Sequence, residues 1–346
     1  ITGLVGSEMC IRDSANIDVT LLDLPSKEGS RNQITENAKE RIKKSRPPLL
    51  VEKNKAELIK VGNIEDDFNK VAEADWVVEA VVERIDIKHN IYDKIQTTRK
   101  NNSIISSNTS TIPLKILSAN MSDEMKKNFC ITHFFNPVRY MALLEIVTEE
   151  VNDLKKINLL KQFCDEKLGK GVIICNDTPG FIGNRIGVYA MQVAMTEAFK
   201  MKISIEEADA VFGRPMGIPK TGIFGLYDLI GIDLMADVLK SFIKELPKED
   251  PFHEVAQEIP LVTKLIQTGY TGRKGKGGFY RINKSNDKKI LEAINLETGE
   301  YHPSQKINLG IGDKIDINKL IQRKDKYGEY AKSILTKVIR YAAYLI

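Results

Sequence analysis

Cysteine is scarce: the 346 residues hold four, Cys10, Cys130, Cys164 and Cys175. None forms a Cys-x-x-Cys pair, so neither a thiolate zinc site nor a dithiol redox motif is signalled. A chain this long can bury a core without a disulfide framework, and a reducing, cytoplasmic setting follows as the default. No run of about 18 apolar residues occurs, so no helical membrane span is expected. The net charge is only +4. So small a charge does not argue for a nucleic-acid footprint, which needs basic residues clustered on one face, and no nucleic-acid partner is expected. Histidine is sparse as well, with His89, His133, His253 and His302 the whole complement. Few groups are therefore available to move a proton near neutral pH. No internal repeat stands out.

What is present is ordered punctuation. Apolar runs Ile17 to Leu22, Trp76 to Val82, Ile104–Ile105, Phe129 to Thr132, Leu143 to Val147 and Val172 to Cys175 read as buried strands. Helix-length segments, Glu83 to Lys100 and Asp153 to Leu168 among them, lie between. Strands alternating with helices predict a mostly parallel sheet, and right-handed crossovers make it doubly wound. The character changes at Asn176-Asp177-Thr178-Pro179-Gly180, where Thr178 can cap a helix whose first residue is Pro179. From there to about Leu246 the apolar spacing is helical. The run Arg273-Lys274-Gly275-Lys276-Gly277-Gly278-Phe279-Tyr280 lacks the Gly-Lys-Ser/Thr ending of a phosphate loop and reads as a tight turn closing the helical domain. Ile282 to Ile317 is polar and broken, like a connector. A last amphipathic helix runs from about Lys326 to Ile346 with no stop signal.

The fold class is thus α/β. A Rossmann-like doubly wound parallel sheet over 1–177 is followed by an all-α domain over 178–283, then by a connector and the start of a further helical segment over 284–346. A dinucleotide fold opens with a strand, a Gly-x-Gly-x-x-Gly turn and a helix, and an acid about 20 residues on holds the ribose hydroxyls. Asp23 ends an apolar strand and fits that acid; a solvated turn carboxylate fits it too. Gly3 and Gly6 have the spacing of the second and third glycines, but Ile1 stands in place of the first, no strand precedes them, and Ser7 to Ser14 makes a poor helix. Glu79 and Glu83 lie in and just after the strand Val77 to Val82. Glu83 is the better placed at the carboxyl end, where open α/β sheets bind ligands, and Lys88 follows on the next helix.

His133 differs from the other three histidines. It ends an apolar strand and is followed by Phe134-Phe135-Asn136-Pro137. The segment Met141 to Val147 is apolar except for Glu145, and a buried lone carboxylate needs a partner. A turn around Pro137 can return this strand beside His133. A carboxylate on one imidazole nitrogen fixes the tautomer and leaves the other nitrogen as a base. Pairing of Glu145 with an unrelated Lys or Arg is the alternative. The hydroxyl-rich run Ser106-Ser107-Asn108-Thr109-Ser110 and Asn184 offer groups that can polarise a substrate oxygen.

Together these residues resemble the 3-hydroxyacyl-CoA dehydrogenase family from about Ala15 to Tyr280. The resemblance is carried by Val77-Val78-Glu79-Ala80-Val81-Val82-Glu83, Ser107-Asn108-Thr109-Ser110, His133-Phe134-Phe135-Asn136-Pro137 and Asp177-Thr178-Pro179-Gly180-Phe181-Ile182-Gly183-Asn184-Arg185, in that order. It implies NAD on the first domain, with Asp23 near the adenosine ribose and Glu83 and Lys88 near the nicotinamide half. It further implies His133 as base, Glu145 as its orienting group, Ser107 and Asn184 at the substrate oxygen, and Asn136 framing the site. Ser107 also faces the cofactor in this reading, an acyl-CoA is the substrate, and no metal is needed. Lys39-Glu40-Arg41-Ile42-Lys43-Lys44 is a candidate for CoA or simply a solvated helix face. Departures are the absent first strand and first glycine, and Ile223 in Gly222 to Asp228 where the family commonly has Pro. The resemblance implies a homodimer or a part of a larger multifunctional chain, and the open end resembles bifunctional relatives in which a second helical domain and an enoyl-CoA hydratase follow. The alternative is a non-catalytic relative that binds NAD or acyl-CoA.

Overall fold

The computed structural model describes residues 17–218, 220–283, 289–310 and 316–346. The chain forms two compact units, Ile1–Gly183 and Asn184–Ile346. Gly3, Gly6 and Ser7 to Ser14, read above as a partial glycine turn and first helix, lie outside the described residues, as does Cys10.

In the first unit, β1 (Val19–Asp23) pairs in parallel with β2 (Ile59–Asn63) as a two-stranded sheet. A second sheet has the order β3 (Trp76–Glu79), β4 (Ile104–Ser107), β5 (Phe129–Phe134), β6 (Leu143–Val147), β7 (Gly171–Cys175). All its pairings are parallel except β5–β6. The turn over 135–142 explains that exception, since a parallel crossover takes about a dozen residues or more. The β-branched run Ile104–Ile105, buried on both sides, suits a pleated sheet covered on both faces. Alternation divides the side chains. Ile105, Phe129, Ile131 and Val147 join Tyr92 and Ile95 of the helix Ile85–Thr98. Ile104, Cys130, Leu144 and Ile146 join Ile157 and Leu160 of the helix Leu154–Glu166. The doubly wound arrangement expected from the sequence is therefore present. β2 was not anticipated, because Ile59-Lys60-Val61-Gly62-Asn63 is too short and too interrupted to stand out.

The second unit is helical around Tyr189, Val193, Phe224, Phe252 and Phe279. Two expectations need correction. The helix expected to begin at Pro179 begins at Gly183 and runs to Lys200. Gly180 and Phe181 both have positive φ, 74° and 48°, which breaks a right-handed helix before it starts. Residues 282–317 are also more than a connector. β8 (Tyr280–Asn283), β9 (Ile290–Ile294) and β10 (Tyr301–Pro303) form an antiparallel sheet, and Ala293 and Ile294 enter the helical core. The final helix, Lys326–Tyr344, stacks Tyr341 on Tyr189 at 4.1 Å and places Tyr330 Oη on the carbonyl of Ala194. Among the described residues no helix is long and apolar enough to cross a membrane.

The glycine-rich run is a turn. Asp228, buried, accepts hydrogen bonds from the amides of Phe279 and Tyr280 at 2.8 and 2.7 Å. Burial nonetheless pushes its carboxyl up to about 6. A Cβ on Gly278 would stand 1.9 Å from Asp228 Oδ1. Gly278→Ala is therefore expected to destabilise the chain by about 1–3 kcal/mol, through a displaced carboxylate and an overpacked turn. Urea denaturation checks this, and an unchanged midpoint would show that the turn yields freely.

Candidate active site

The antiparallel register places His133 directly opposite Glu145, and cross-strand partners share a face of the sheet. His133 Nδ1 lies 2.6 Å from Glu145 Oε2. Glu145 is fully buried and His133 nearly so. The other carboxylate oxygen, Oε1, accepts from the amides of Ile182 and Gly183 at 2.8 and 2.6 Å, and the Cys175 thiol lies at 3.8 Å. Glu145 thus needs no Lys or Arg. Its second oxygen takes up amides at the start of the helix Gly183–Lys200, donors that a helix leaves without internal partners. With Nδ1 donating to the carboxylate, Nε2 carries the lone pair. Burial, helped by the Glu145 charge, pushes the Cys175 thiol up to about 12, which keeps it a neutral neighbour.

Aromatic walls fix the ring. Phe135 lies 4.5 Å from the imidazole centroid and Phe181 5.6 Å. Gly183 is what admits Phe135, because a Cβ there would stand 2.5 Å from the Phe135 ring. The amide of Phe134 donates to Asn108 Oδ1 at 3.0 Å, tying the end of β5 to the loop after β4.

A second polar cluster gathers at the carboxyl ends of β3 and β4. Glu79 is buried in β3. Its Oε1 accepts from the Val81 amide at 2.7 Å and Lys88 Nζ at 2.8 Å; its Oε2 accepts from Tyr92 Oη at 2.5 Å and Ser107 Oγ at 2.7 Å. Lys88 also pairs with Glu83 at 3.2 Å. Glu83 accepts from Thr109 and Thr111 and from the Ser110 amide. Burial raises the Glu83 carboxyl, but these bonds and the Lys88 charge outweigh it and leave the group below its usual range.

Each site residue expected from the sequence can now be placed. His133 and Glu145 are brought together. Ser107, Glu83 and Lys88 join one network, with Lys88 buried rather than a surface cation and Ser107 bonded to Glu79. Asp23 ends β1, half-buried, and accepts from the amide of Leu24 at 2.7 Å. Asn136 is exposed in the turn after β5. Asn184 belongs to the second unit, at the second position of its helix. Lys39, Lys43 and Lys44 pair with Glu57 or Glu40, as on an ordinary solvated helix face. The sequence reading passed over Glu79 in favour of Glu83. Lys88 and Tyr92, four apart on one helix face, were the available signal that a buried partner was needed.

The sequence models of the 3-hydroxyacyl-CoA dehydrogenase family match both halves of the chain, the NAD binding domain over residues 2–178 and the C-terminal domain over 180–282. The chain belongs to the 3-hydroxyacyl-CoA dehydrogenase family. It is 39% identical to a putative fatty acid oxidation complex trifunctional enzyme of Rickettsia felis, over 100% of this chain and 48% of that protein. It thus spans about half the length of that relative. It is 35% identical to a probable 3-hydroxyacyl-CoA dehydrogenase of Deinococcus radiodurans, over 82% of this chain and 81% of that one. Among solved structures, (S)-3-hydroxybutyryl-CoA dehydrogenase from Ralstonia eutropha aligns with a TM-score of 0.60 at 27% identity, covering 79% of this chain and 93% of that one. Residues 2–178 of this family member are accordingly an NAD-binding domain.

Two outcomes follow from the geometry. Glu145→Gln keeps an oxygen for the Ile182 and Gly183 amides and turns an N–H toward His133 Nδ1. The imidazole proton then moves to Nε2, and turnover is expected to fall by a factor on the order of 10⁴ with little change in melting temperature; steady-state kinetics beside calorimetry would read both. Lys88→Met strands the buried Glu79 carboxylate and should cost about 3–5 kcal/mol in chemical denaturation. A loss well under that would mean water reaches Glu79.

Proposed function

We propose that this chain oxidises L-3-hydroxyacyl-CoA to 3-ketoacyl-CoA with NAD, as a step of fatty-acid β-oxidation. The observation that carries the reading is the His133–Glu145 pair, 2.6 Å apart on adjacent strands with the carboxylate fully buried. His133 Nε2 takes the proton of the 3-hydroxyl. Glu145 stabilises the imidazolium that forms and holds the ring in place. NAD, when bound, supplies the acceptor for the hydride that leaves C3 as the carbonyl forms. Asp23, Glu83 and Lys88 hold the cofactor in this reading, with Ser107 and Asn136 beside it. Asn184 donates its amide N–H to the substrate oxygen. The fit is chemical: an acid ends β1, and a polar, hydrogen-bonded cluster stands at the carboxyl ends of β3 and β4, where parallel sheets bind dinucleotides.

Residues 1–177 carry the cofactor in this proposal, and residues 178–283 cover the acyl-CoA. The protein acts in the cytoplasm, as a homodimer or as part of a larger multifunctional chain. Mixing the chain with acetoacetyl-CoA and NADH tests the reaction. Wild type is expected to consume NADH, and His133→Gln to do so at least about a hundredfold more slowly. NADH binding without turnover in the wild type would favour a binding protein of the same fold instead.

A further inference from the structure

A cleft of about 1260 Å³ opens in the second unit, walled by residues between Glu206 and Leu309, and none of the groups assigned to the reaction above lines it. Its walls come from the helix Ile205–Val211, the glycine-rich turn, β8, β9 and the run 304–309. Cations line one part. Lys220 and Lys306 have no ion pair and no side-chain hydrogen bond among the described residues, and Arg273 has only the charge of Asp228 nearby. Another part is apolar: Ile282 and Leu291 line it at 59% and 52% exposure. Three acids complete the wall. Asp209 spends both oxygens on the amides of Phe224 and Gly225 and on Tyr280 Oη, at 2.7, 3.1 and 2.8 Å. Asp228 spends both on the amides of Phe279 and Tyr280. Glu206 differs. It is 7% exposed, its Oε1 accepts from the Gln305 amide at 3.2 Å, and its Oε2 has no partner. The Thr221 hydroxyl, also on the wall, is buried and likewise has no partner.

A buried carboxylate oxygen without a donor is costly unless the donor arrives from outside the chain. The cations need the opposite partner, an anion. Burial raises the carboxyls of Asp228 and Asp209 to about 6 and about 7, so near neutral pH these two offset the cations only in part. A simple cation would satisfy Glu206 and be repelled by Lys220, Arg273 and Lys306. Inorganic phosphate would satisfy those three, leave Glu206 without a donor and fill little of the cleft. A ligand that meets every wall carries phosphate at one end, a flat ring at the other, and a hydroxyl or amino group to donate. We propose that this cleft binds a free nucleoside phosphate. Lys220, Arg273 and Lys306 hold its phosphates, a ribose hydroxyl or base amino group donates to Glu206 Oε2, and the base lies on Ile282 and Leu291. The site belongs wholly to the second unit and is separate from the NAD-binding domain over residues 2–178.

The test is equilibrium binding of ADP and of inorganic pyrophosphate to the full chain, with NAD at saturation so that the first unit's own site is filled. Wild type should bind ADP at least about tenfold more tightly than pyrophosphate, the low end of the range for a hydrogen bond to a charged group. Lys220→Glu combined with Lys306→Glu, both exposed positions, should weaken both ligands by about tenfold or more. Glu206→Gln keeps an oxygen for the Gln305 amide and removes the charged acceptor. The preference for ADP over pyrophosphate should then shrink, even where the less acidic cleft binds both more tightly. Should that variant fail to fold, Leu291→Ser, at an exposed position, should narrow the same preference by uncovering a face of the base. No binding of ADP to the NAD-saturated wild type would overturn the proposal. So would ADP affinity unchanged in the double variant, which would put the nucleotide elsewhere on the chain. Equal wild-type affinities for ADP and pyrophosphate would also overturn it, leaving a site for simple anions.

Discussion

Burial of the Glu145 carboxylate is the constraint around which the first unit is arranged. An ionised carboxylate in a dry interior costs several kcal/mol unless donors surround it. Here one oxygen takes His133, and the other takes two amides that open the helix Gly183–Lys200. The chain turns through positive φ at Gly180 and Phe181 just before those amides, and Gly183, lacking a side chain, leaves room for the Phe135 ring. The turn, the helix start and the imidazole are thus one device. Its product is an imidazole with a fixed tautomer, held between Phe135 and Phe181.

The same logic recurs at Glu79. Each buried carboxylate is compensated by a set of donors drawn from different elements, and each sits on the face that packs against the helix Ile85–Thr98. The consequence is directional. Glu145 leaves a lone pair on His133 Nε2, and Glu79 leaves lone pairs on Ser107. In a low-dielectric setting such assigned proton positions carry more weight than they would in water. The helical unit uses a related arrangement for structure alone: Asp228 closes the glycine-rich turn, and Asp209 accepts from the amides of Phe224 and Gly225 and from Tyr280 Oη. Burial outweighs those bonds and raises both carboxyls, to about 6 and about 7. A raised carboxylate favours the fold when protonated, so its contribution is full below the unfolded value of about 4 and fades as pH rises through 6 to 7.

Much of the fold and of the site was legible in the sequence. Strand positions followed from β-branched runs, and the doubly wound arrangement from their alternation with helices. Glu145 announced itself as the one charge in an apolar strand, and the short turn around Pro137 pointed it back at His133. Those signals are local, and the spacing of two or three elements suffices to read them. β2 and the β8–β10 sheet escaped because short, polar-interrupted strands resemble loops until a partner satisfies their amides.

The sequence by itself determined the family to which the chain belongs, and singled out the residues expected to carry chemistry. Only the tertiary structure decided what each buried charge is paired with: backbone amides rather than a cation for Glu145, Lys88 with Tyr92 and Ser107 for Glu79. It also decided that the helix begins at Gly183 and not at Pro179. The physical reason is that a hydrophobic pattern records which face of an element is buried, whereas the partner of a buried polar group comes from elsewhere in the chain. That partner is fixed only when the strands, the turns and the helix ends have been brought together.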